Sequence, residues 1–306
     1  MGIAIISPSR DTTVWVKNIR KLDKNIEIQV FPDIQDYLSV DAVILWQHPK
    51  GILDKFPNLK LICSMGAGVD HILSDHSIKK SIPITRIVDE KLTFSMTNYV
   101  LMGILNFHRQ IDRYKSDQKN KIWDMSNPEI PIVVGIMGVG ELGGDVIQKL
   151  QLLGINVAGL GYSPKENLTY PYYDKSRTAE FLSAINVLVC MLPLTPDTEG
   201  VLNKDLFQKC KKGTYLINVA RGKHLVEEDL IPAIENGYLS GALLDVFHQE
   251  PLPQDHPFWN REEITITPHI ASVTNPDAAA PQIIENYNRI IHQKPLLNQI
   301  DRNKGY

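Results

Sequence analysis

Residues 132–143 of the chain read IVVGIMGVGELG. The first half is a β-branched apolar run, typical of a strand buried on both faces, and a helical pattern follows it as far as Leu153. Between the two lie Gly138, Gly140 and Gly143, in the spacing G-x-G-x-x-G that binds dinucleotides when it joins a strand to a helix. The stretch therefore predicts a doubly wound α/β domain that binds a dinucleotide.

Each glycine of this turn has its own physical reason. Gly138 allows the tight turn, Gly140 lets the backbone approach a pyrophosphate, and Gly143 lets the helix pack closely on the strand. The helix N-terminus adds amide donors and the positive end of its dipole. We expect the turn, including Glu141 and Leu142, to bind the cofactor; a glycine-rich turn without a ligand is the alternative.

The next predicted strand, INVAGLG at residues 155–161, ends without the acidic residue that binds ribose hydroxyls in many NAD domains. Ser163 and Lys165 follow it, and the next acid is Glu166. A hydroxyl and a cation suit a 2′-phosphate, which a carboxylate would repel. The sequence predicts NADP as the preferred cofactor. NAD remains the alternative, because the usual arginine is absent and Lys165 could be only a solvated loop charge.

Short β-branched runs alternate with helix-length segments on both sides of this turn. The earlier runs are GIAIIS, IEIQVF, DAVILW, LKLICSM and IPITRIV, and the later ones are INVAGLG, AINVLVCML, GTYLINVA, SGALLDVF and ITITPH. Such alternation predicts an α/β fold of two doubly wound, Rossmann-like domains with parallel sheets and a cleft between them. We expect a connecting helix over residues 95–114 and a last helix over residues 276–293, which could fold back on the first domain.

Composition narrows the class of partner. Of 306 residues, 43% are apolar and 22% charged, which is ordinary for globular domains and excludes a disordered or collagen-like chain. The 32 basic and 35 acidic residues form no long run of one sign, so we expect a small-molecule partner and neither nucleic acid nor membrane. Three scattered cysteines predict reduced packing residues, and no targeting segment is evident. The simplest location is the cytoplasm.

Three polar residues follow later strands of the second domain: Arg221, Glu250 and His269. Parallel strands end at one edge of the sheet, so these residues can converge beside the cofactor. Hydride transfer to a carbonyl needs an acid, for which His269 is the candidate, and Glu250 would orient its ring and favour the protonated form. Arg221 has the forked geometry that binds a carboxylate and an adjacent keto oxygen. Taken singly, each could instead be a structural residue.

Five motifs in order resemble the D-isomer-specific 2-hydroxyacid dehydrogenase family across essentially the whole chain. They are the glycine turn at 138–143, LPLTPDT at 192–198, NVARG at 218–222, LDVFHQEPLP at 244–253 and TPH at 267–269. The resemblance implies that Arg221, Glu250 and His269 form the catalytic set. It also implies a discontinuous substrate domain, residues 1–95 with 275–306, around a dinucleotide-binding domain, residues 96–274. Further residues expected at the cofactor are Pro193, Thr198, Val219 and Asp245.

Finer features resemble the bacterial glyoxylate/hydroxypyruvate reductase branch of that family. These are Trp46, the loop SMGAGVD at residues 64–70 and the ending DRNKGY at residues 301–306. The resemblance implies NAD(P)H-dependent reduction of a small 2-keto acid, a homodimer built through the helix after Thr93, and no metal. It places Trp46, Ala67, Gly68 and Val69 with Arg221 at the substrate. Asn98, Tyr162 and Pro164 depart from the pattern usual in the branch.

Two alternatives to this function stay open. One is a dehydrogenase for another 2-hydroxy acid. The other is a non-catalytic regulator that senses a dinucleotide on the same fold, because a fold does not by itself imply chemistry.

Overall fold

The computed structural model describes residues 2–162, 165–302 and 305. The chain divides into two compact units, one made of Met1–Leu92 with Val273–Tyr306 and the other of Thr93–Ser272. The first unit is therefore assembled from both ends of the chain. Within the described ranges, no helix is both long enough and apolar enough to span a bilayer.

The strands lie on the apolar runs of the sequence. In chain order they are β1 (Gly2–Ile6), β2 (Glu27–Val30), β3 (Val40–Leu45), β4 (Leu61–Ser64), β5 (Ile84–Thr85), β6 (Val133–Met137), β7 (Asn156–Leu160), β8 (Tyr172–Tyr173), β9 (Val187–Cys190), β10 (Thr214–Asn218), β11 (Leu239–Leu244) and β12 (Ile264–Ile266). The two-residue strand β8, which the sequence did not predict, lies beside β7.

Helices occupy most of the connections between the strands. In chain order they are α1 (Thr13–Leu22), α2 (Asp70–Leu73), α3 (Glu90–His108), α4 (Ile111–Asn120), α5 (Glu141–Leu152), α6 (Thr178–Ala184), α7 (Lys204–Phe207), α8 (Glu227–Glu235) and α9 (Pro276–Ile291). Short 3₁₀ turns cover Ile52–Lys55, Lys175–Arg177, Gly222–His224 and Pro257–Asn260.

The first unit is built on a parallel sheet with the strand order β2-β1-β3-β4-β5. Every residue of β1 and β3 is buried, as expected for strands covered on both faces. Helix α9 packs against α1 in this unit. The strand order changes direction between β1 and β3, and in open α/β sheets ligands bind outside the carboxyl ends of strands at such a point.

The second unit has a parallel sheet with the order β12-β11-β10-β9-β6-β7-β8. Its core includes the fully buried rings of Phe181 and Phe207 and a continuous set of aliphatic side chains. Here the order changes direction between β6 and β9, which places the ends of these two strands at the expected ligand position. Two parallel, doubly wound sheets confirm the fold class predicted from the sequence.

The prediction of one helix over residues 95–114 is wrong. Helix α3 begins earlier, at Glu90, and ends at His108, and α4 begins at Ile111. Between them Gln110 adopts a left-handed backbone with φ +55°, which a continuous right-handed helix cannot contain. The apolar periodicity stops at the same point, since α4 has no buried residue among those described.

Candidate active site

The glycine turn, residues 138–143, connects β6 to α5 as the spacing predicted. Gly138 has φ +100°, and a Cβ there would lie 2.6 Å from the carbonyl oxygen of Met191, at the end of β9. A Cβ on Gly143 would lie 2.1 Å from the oxygen of Gly138. Side chains are therefore excluded at both positions, by backbone conformation and by backbone contact.

Gly140 meets a different constraint, because it is the N-cap of α5. A Cβ built on Gly140 meets nothing within 4 Å in the described part of the chain. Glycine has no side chain with which to cap α5, so the first amides of the helix, at Glu141 and Leu142, receive no capping bond from Gly140. A helix N-terminus with room beside it fits a dinucleotide pyrophosphate.

The end of β7 is the part of the fold where a 2′-phosphate would be recognised. Lys165 is exposed there, whereas Ser163 lies outside the described residues. Sequence reasoning missed a second cation: Lys175, from a later 3₁₀ turn, lies with Nζ 5.4 Å from the ring centroid of Tyr162. Tyr162, just after β7, and Lys175 are thirteen positions apart, so no local sequence pattern indicated that they would meet.

Arg221, Glu250 and His269 follow β10, β11 and β12, three neighbouring strands of the second sheet. His269 Nδ1 lies 2.8 Å from Glu250 Oε2, and each side chain is about a quarter exposed, at 26% and 27%. With Nδ1 donating to the carboxylate, the other ring nitrogen, Nε2, is the one that can face a substrate. The structure therefore places an imidazole of fixed orientation at the edge of this sheet.

The electrostatics of Glu250 favour its ionised form. Burial raises the pKa of Glu250, but the hydrogen bond and charge of His269 outweigh it, and the net pKa lies below its usual value. A bond from the Phe247 amide, 3.1 Å long, and the charge of Arg221 act in the same direction. Arg221 itself is half-buried, and its Nη1 donates to the Ala220 carbonyl at 2.6 Å. The charge of Arg221 thus acts on Glu250, the carboxylate that bonds His269.

A buried carboxylate holds the His269 loop, residues 267–271, from both sides. Asp245 is only 1% exposed. Its Oδ1 accepts from Thr267 Oγ1 at 2.6 Å and from the Ile270 amide at 2.8 Å, while Oδ2 accepts from the Ala271 amide at 2.8 Å. His269 lies between these contacts with φ +54°. A left-handed histidine persists only where its surroundings fix it, which these bonds do.

Tyr99, from α3, extends this network. Its hydroxyl lies 2.5 Å from Thr267 Oγ1, and burial raises the pKa of the phenol, so it remains protonated. The two residues are 168 positions apart, which is why the sequence could not indicate the contact. Tyr99 is a positioning residue for the loop, and it acts through Thr267 and Asp245.

Replacing Tyr99 by Phe tests this network. We expect kcat to fall about 2- to 12-fold, from the ~0.5–1.5 kcal/mol that a hydrogen bond contributes, with KM for NADPH little changed. Steady-state kinetics would measure both constants. Tyr238→Phe, at the amino end of β11, is the matched control and should lose nothing. An unchanged kcat in Tyr99→Phe would show that Asp245 holds the loop without it.

The remaining residues expected at the cofactor lie near the same sheet edge. Thr198 is buried, and its Oγ1 accepts from the Thr195 amide at 2.8 Å and lies 2.7 Å from the carbonyl oxygen of Pro193. His224 Nε2 contacts that same oxygen at 3.3 Å. Thr198 therefore shapes the loop that follows β9. Val219 is buried directly after β10.

Four of the five residues expected at the substrate lie in the first unit, and the fifth, Arg221, lies in the second. Residues 66–69 follow β4, and we call them the carboxylate loop after the substrate carboxylate expected there. Ser64 Oγ supports this loop by donating to the Gly68 carbonyl at 2.8 Å. Ala67 and Gly68 are half-buried, whereas the Val69 side chain is buried. Trp46 follows β3, and a Cβ on Gly66 would lie 3.1 Å from its ring. The indole thus packs directly on the loop backbone.

Two residues beside Trp46 were not predicted. The guanidinium carbon of Arg10 lies 3.9 Å from the indole centroid, and the His71 ring lies 4.9 Å from it. Arg10 follows β1, the strand adjacent to β3, so its contact with Trp46 depends on the strand order of the sheet. Within the described ranges, no cluster of three or more His, Cys, Asp or Glu side chains is arranged to hold a metal ion.

A doubly wound sheet with a pyrophosphate turn and an oriented His–Glu pair defines an NAD(P)-dependent oxidoreductase. Residues 101–271 match the model of the D-isomer specific 2-hydroxyacid dehydrogenase NAD binding domain. The protein belongs to the D-isomer-specific 2-hydroxyacid dehydrogenase family.

Named relatives agree with this assignment. The chain is 37% identical to glyoxylate/hydroxypyruvate reductase A of Photorhabdus laumondii, over 100% of both chains. It superposes with TM-score 0.94 on a D-isomer specific 2-hydroxyacid dehydrogenase of Xanthobacter autotrophicus Py2 in complex with NADPH and MES, at 32% identity, covering 100% of this chain and 99% of that one. For the NADPH-dependent glyoxylate/hydroxypyruvate reductase of Sinorhizobium meliloti with NADP and sulfate, the TM-score is 0.93 at 32% identity, with 100% of both chains covered.

Proposed function

We propose that this protein reduces a small 2-keto acid, glyoxylate or hydroxypyruvate, to the 2-hydroxy acid with NADPH. The observation that carries the proposal is the 2.8 Å contact between His269 and Glu250, with the charge of Arg221 acting on the same carboxylate. The relatives from Photorhabdus laumondii and Sinorhizobium meliloti carry this activity in their names, which supports the same substrates here.

The reaction adds one hydride and one proton to the keto group. When bound, the reduced nicotinamide supplies the hydride to the keto carbon. His269 donates the proton to the keto oxygen from Nε2, while Glu250 holds Nδ1 and stabilises the charged ring. Asp245 keeps this histidine in its left-handed position by bonding the chain on both sides of it.

Arg221 binds the substrate in this proposal. Its planar guanidinium can donate two parallel hydrogen bonds, one to the substrate carboxylate and one to the keto oxygen. The amides of Ala67, Gly68 and Val69 add uncharged donors for the carboxylate, and Trp46 supplies an apolar wall. In this assignment, residues 1–95 with 275–306 form the substrate domain and residues 96–274 the cofactor domain.

The cofactor is assigned to the end of the second sheet where the strand order changes. The glycine turn fits the pyrophosphate, because Gly140 leaves room beside the amides of α5. The residues assigned to contacts further along the cofactor are Pro193, Thr198, Val219 and Asp245. Lys165 and Lys175 favour a 2′-phosphate, and the NADPH and NADP named with two structural relatives support that preference. The contact expected from Ser163 remains a prediction.

We expect NADPH to outperform NADH by about tenfold or more in kcat/KM, which corresponds to ~1.4 kcal/mol. Lys165→Ala should raise KM for NADPH and leave KM for NADH nearly unchanged, because only NADPH carries the phosphate. The preference should weaken as salt is added, since an exposed contact is screened. Lys175→Ala tests the second cation in the same assay.

Lys209→Ala removes an exposed lysine before β10, at the opposite edge of the sheet, and serves as the matched control. It should leave both KM values at the wild-type level. If Lys165→Ala raised both KM values equally, Lys165 would support the loop without reading the phosphate.

Initial rates of NADPH and NADH oxidation with a panel of 2-keto acids test the activity itself. We expect the highest kcat/KM with glyoxylate or hydroxypyruvate. A clear preference for a bulkier keto acid would favour the alternative that the protein is a dehydrogenase for another 2-hydroxy acid. Tight NADPH binding without turnover of any keto acid would favour the dinucleotide-sensing regulator.

We also propose a cytoplasmic homodimer. Exposed apolar side chains at Ile122, Trp123 and Met125, the second of them 92% exposed, suit burial against a second copy. The free, buried cysteines Cys63, Cys190 and Cys210 are compatible with a reducing compartment. Light scattering of the purified protein should give about twice the chain mass of 34.6 kDa; the mass of a single chain would exclude the dimer.

A further inference from the structure

Arg10 lies on the face of Trp46 at the point where the first sheet changes strand order. It is half-buried and follows β1, while Trp46 follows β3, the neighbouring strand. The Trp46 amide donates to the Ile6 carbonyl at 3.1 Å, so the two loops leave the sheet side by side. Nothing in the proposed reduction of glyoxylate uses a cation here, because Arg221 already serves the substrate carboxylate.

We propose that Arg10 and Trp46 form a subsite for a second anionic group of the substrate. The chemical class is a 2-keto acid with a distal carboxylate or phosphate. This inference rests on the proposed reduction of 2-keto acids and extends its substrate range. The balanced reaction is R–CO–COO⁻ + NADPH + H⁺ → R–CHOH–COO⁻ + NADP⁺, where R carries the second anion and takes no part in the chemistry.

The stacked geometry suits an anion. A guanidinium that packs on an aromatic ring uses its flat face, while its five N–H donors point outwards in the plane. Because the guanidinium has five donors, a protein group and a ligand can bind it at the same time. A carboxylate or phosphate can accept two of them in parallel.

The indole connects this guanidinium to the carboxylate loop. The guanidinium carbon of Arg10 lies 3.9 Å from the centroid of the Trp46 ring, and Gly66 also lies against this ring, where a Cβ would be 3.1 Å away. A substrate with its first carboxylate on the amides of residues 67–69 would therefore extend along the indole towards Arg10. Glyoxylate has no group that reaches so far.

A buried hydrogen bond between His48 and Asp75 fixes the loop that presents Trp46. His48 Nε2 lies 3.1 Å from Asp75 Oδ2, and the same oxygen accepts from the Gly51 amide at 3.0 Å. The side chains are 0% and 3% exposed. Asp11, next to Arg10 in the chain, accepts a 2.9 Å hydrogen bond from the Thr13 amide at the start of α1. The subsite is thus held before a substrate arrives, which lowers the entropy cost of binding.

Substrate selectivity in Arg10→Gln tests the proposal. We would measure kcat/KM for glyoxylate, hydroxypyruvate, oxaloacetate and 3-phosphohydroxypyruvate, the last two carrying a distal carboxylate and a distal phosphate. We expect the loss for at least one dianionic substrate to exceed the loss for glyoxylate by about tenfold or more, equivalent to ~1.4 kcal/mol. Which of the two loses more identifies the anion. Arg10→Lys should keep part of the selectivity, since it retains charge without the planar fork.

Lys24→Gln is the matched control, because it removes an exposed cation at the amino-terminal edge of the same sheet. It should leave all four kcat/KM values in their wild-type ratios. If Arg10→Gln lowered all four by the same factor, Arg10 would only support Trp46 and the proposal would be wrong. Selectivity unchanged from wild type would also overturn it.

A binding measurement separates this proposal from the proposed function. Calorimetry on the NADP⁺-saturated protein would compare D-malate, a dianion with a distal carboxylate, with glycolate, a monoanion. Arg10→Gln should weaken D-malate binding about tenfold or more relative to glycolate. This holds even if the wild type turns over no keto acid, an outcome that would refute the proposed reduction alone. Equal weakening of both ligands would refute the subsite while leaving the reduction in place.

Discussion

We expect kcat with glyoxylate to be about 10²- to 10⁴-fold lower in His269→Gln than in the wild type, because general acid catalysis contributes a rate factor of that size. Glutamine keeps a similar volume and can still donate a hydrogen bond, but it cannot release a proton to the keto oxygen. The fold should persist, since Asp245 bonds the main chain of residues 270 and 271 and not the histidine ring.

Three measurements would accompany this variant: kcat, the melting temperature and NADPH binding by fluorescence. The last two should match the wild type. His76→Gln, an exposed histidine of the first unit, is the control and should keep full activity. If His269→Gln retained most of its kcat, the acid would have to be another group.

Arg221→Lys should raise KM for the keto acid and lower kcat, with a combined loss of about 10- to 150-fold in kcat/KM. Lysine keeps the charge but cannot bond the carboxylate and the keto oxygen at the same time. The variant therefore loses one hydrogen bond to a charged group, which contributes ~1.5–3 kcal/mol. Steady-state kinetics with varied glyoxylate at saturating NADPH would separate the two constants.

The control for this variant is Arg20→Lys, an exposed position near the end of α1. It should change neither constant. A normal KM in Arg221→Lys would move the carboxylate contact elsewhere, with the amides of residues 67–69 as the next candidates.

The glycine turn, and the placement of Arg221, Glu250 and His269 after neighbouring strands, were predictable because both follow from local sequence signals. Gly143 is required by its contact with Gly138 inside one strand–turn–helix unit, and Gly138 by its turn conformation of φ +100°, although a Cβ there would also meet Met191 after β9. Arg221, Glu250 and His269 each follow an apolar run directly, so the rule for parallel strands was enough to place them on one edge.

The support around these residues was not predictable, since it depends on contacts between distant segments. Tyr99 and Thr267 meet across 168 positions, and Arg10 meets Trp46 only because β1 and β3 are neighbours in the sheet. The helix break at Gln110 was missed for a related reason. Gln110 is an ordinary helix-forming residue, and what marks the break is its left-handed backbone with a side chain that donates to the Asn127 carbonyl.

Product analysis tests most directly whether the oriented histidine serves the reduction of a 2-keto acid. Hydroxypyruvate would be incubated with limiting NADPH, and glycerate would be measured by chiral chromatography. We expect one D-glycerate for each NADPH oxidised, as membership of the D-isomer-specific family implies. NADPH that stays reduced while bound to the protein, or a product that is not D-glycerate, would contradict it.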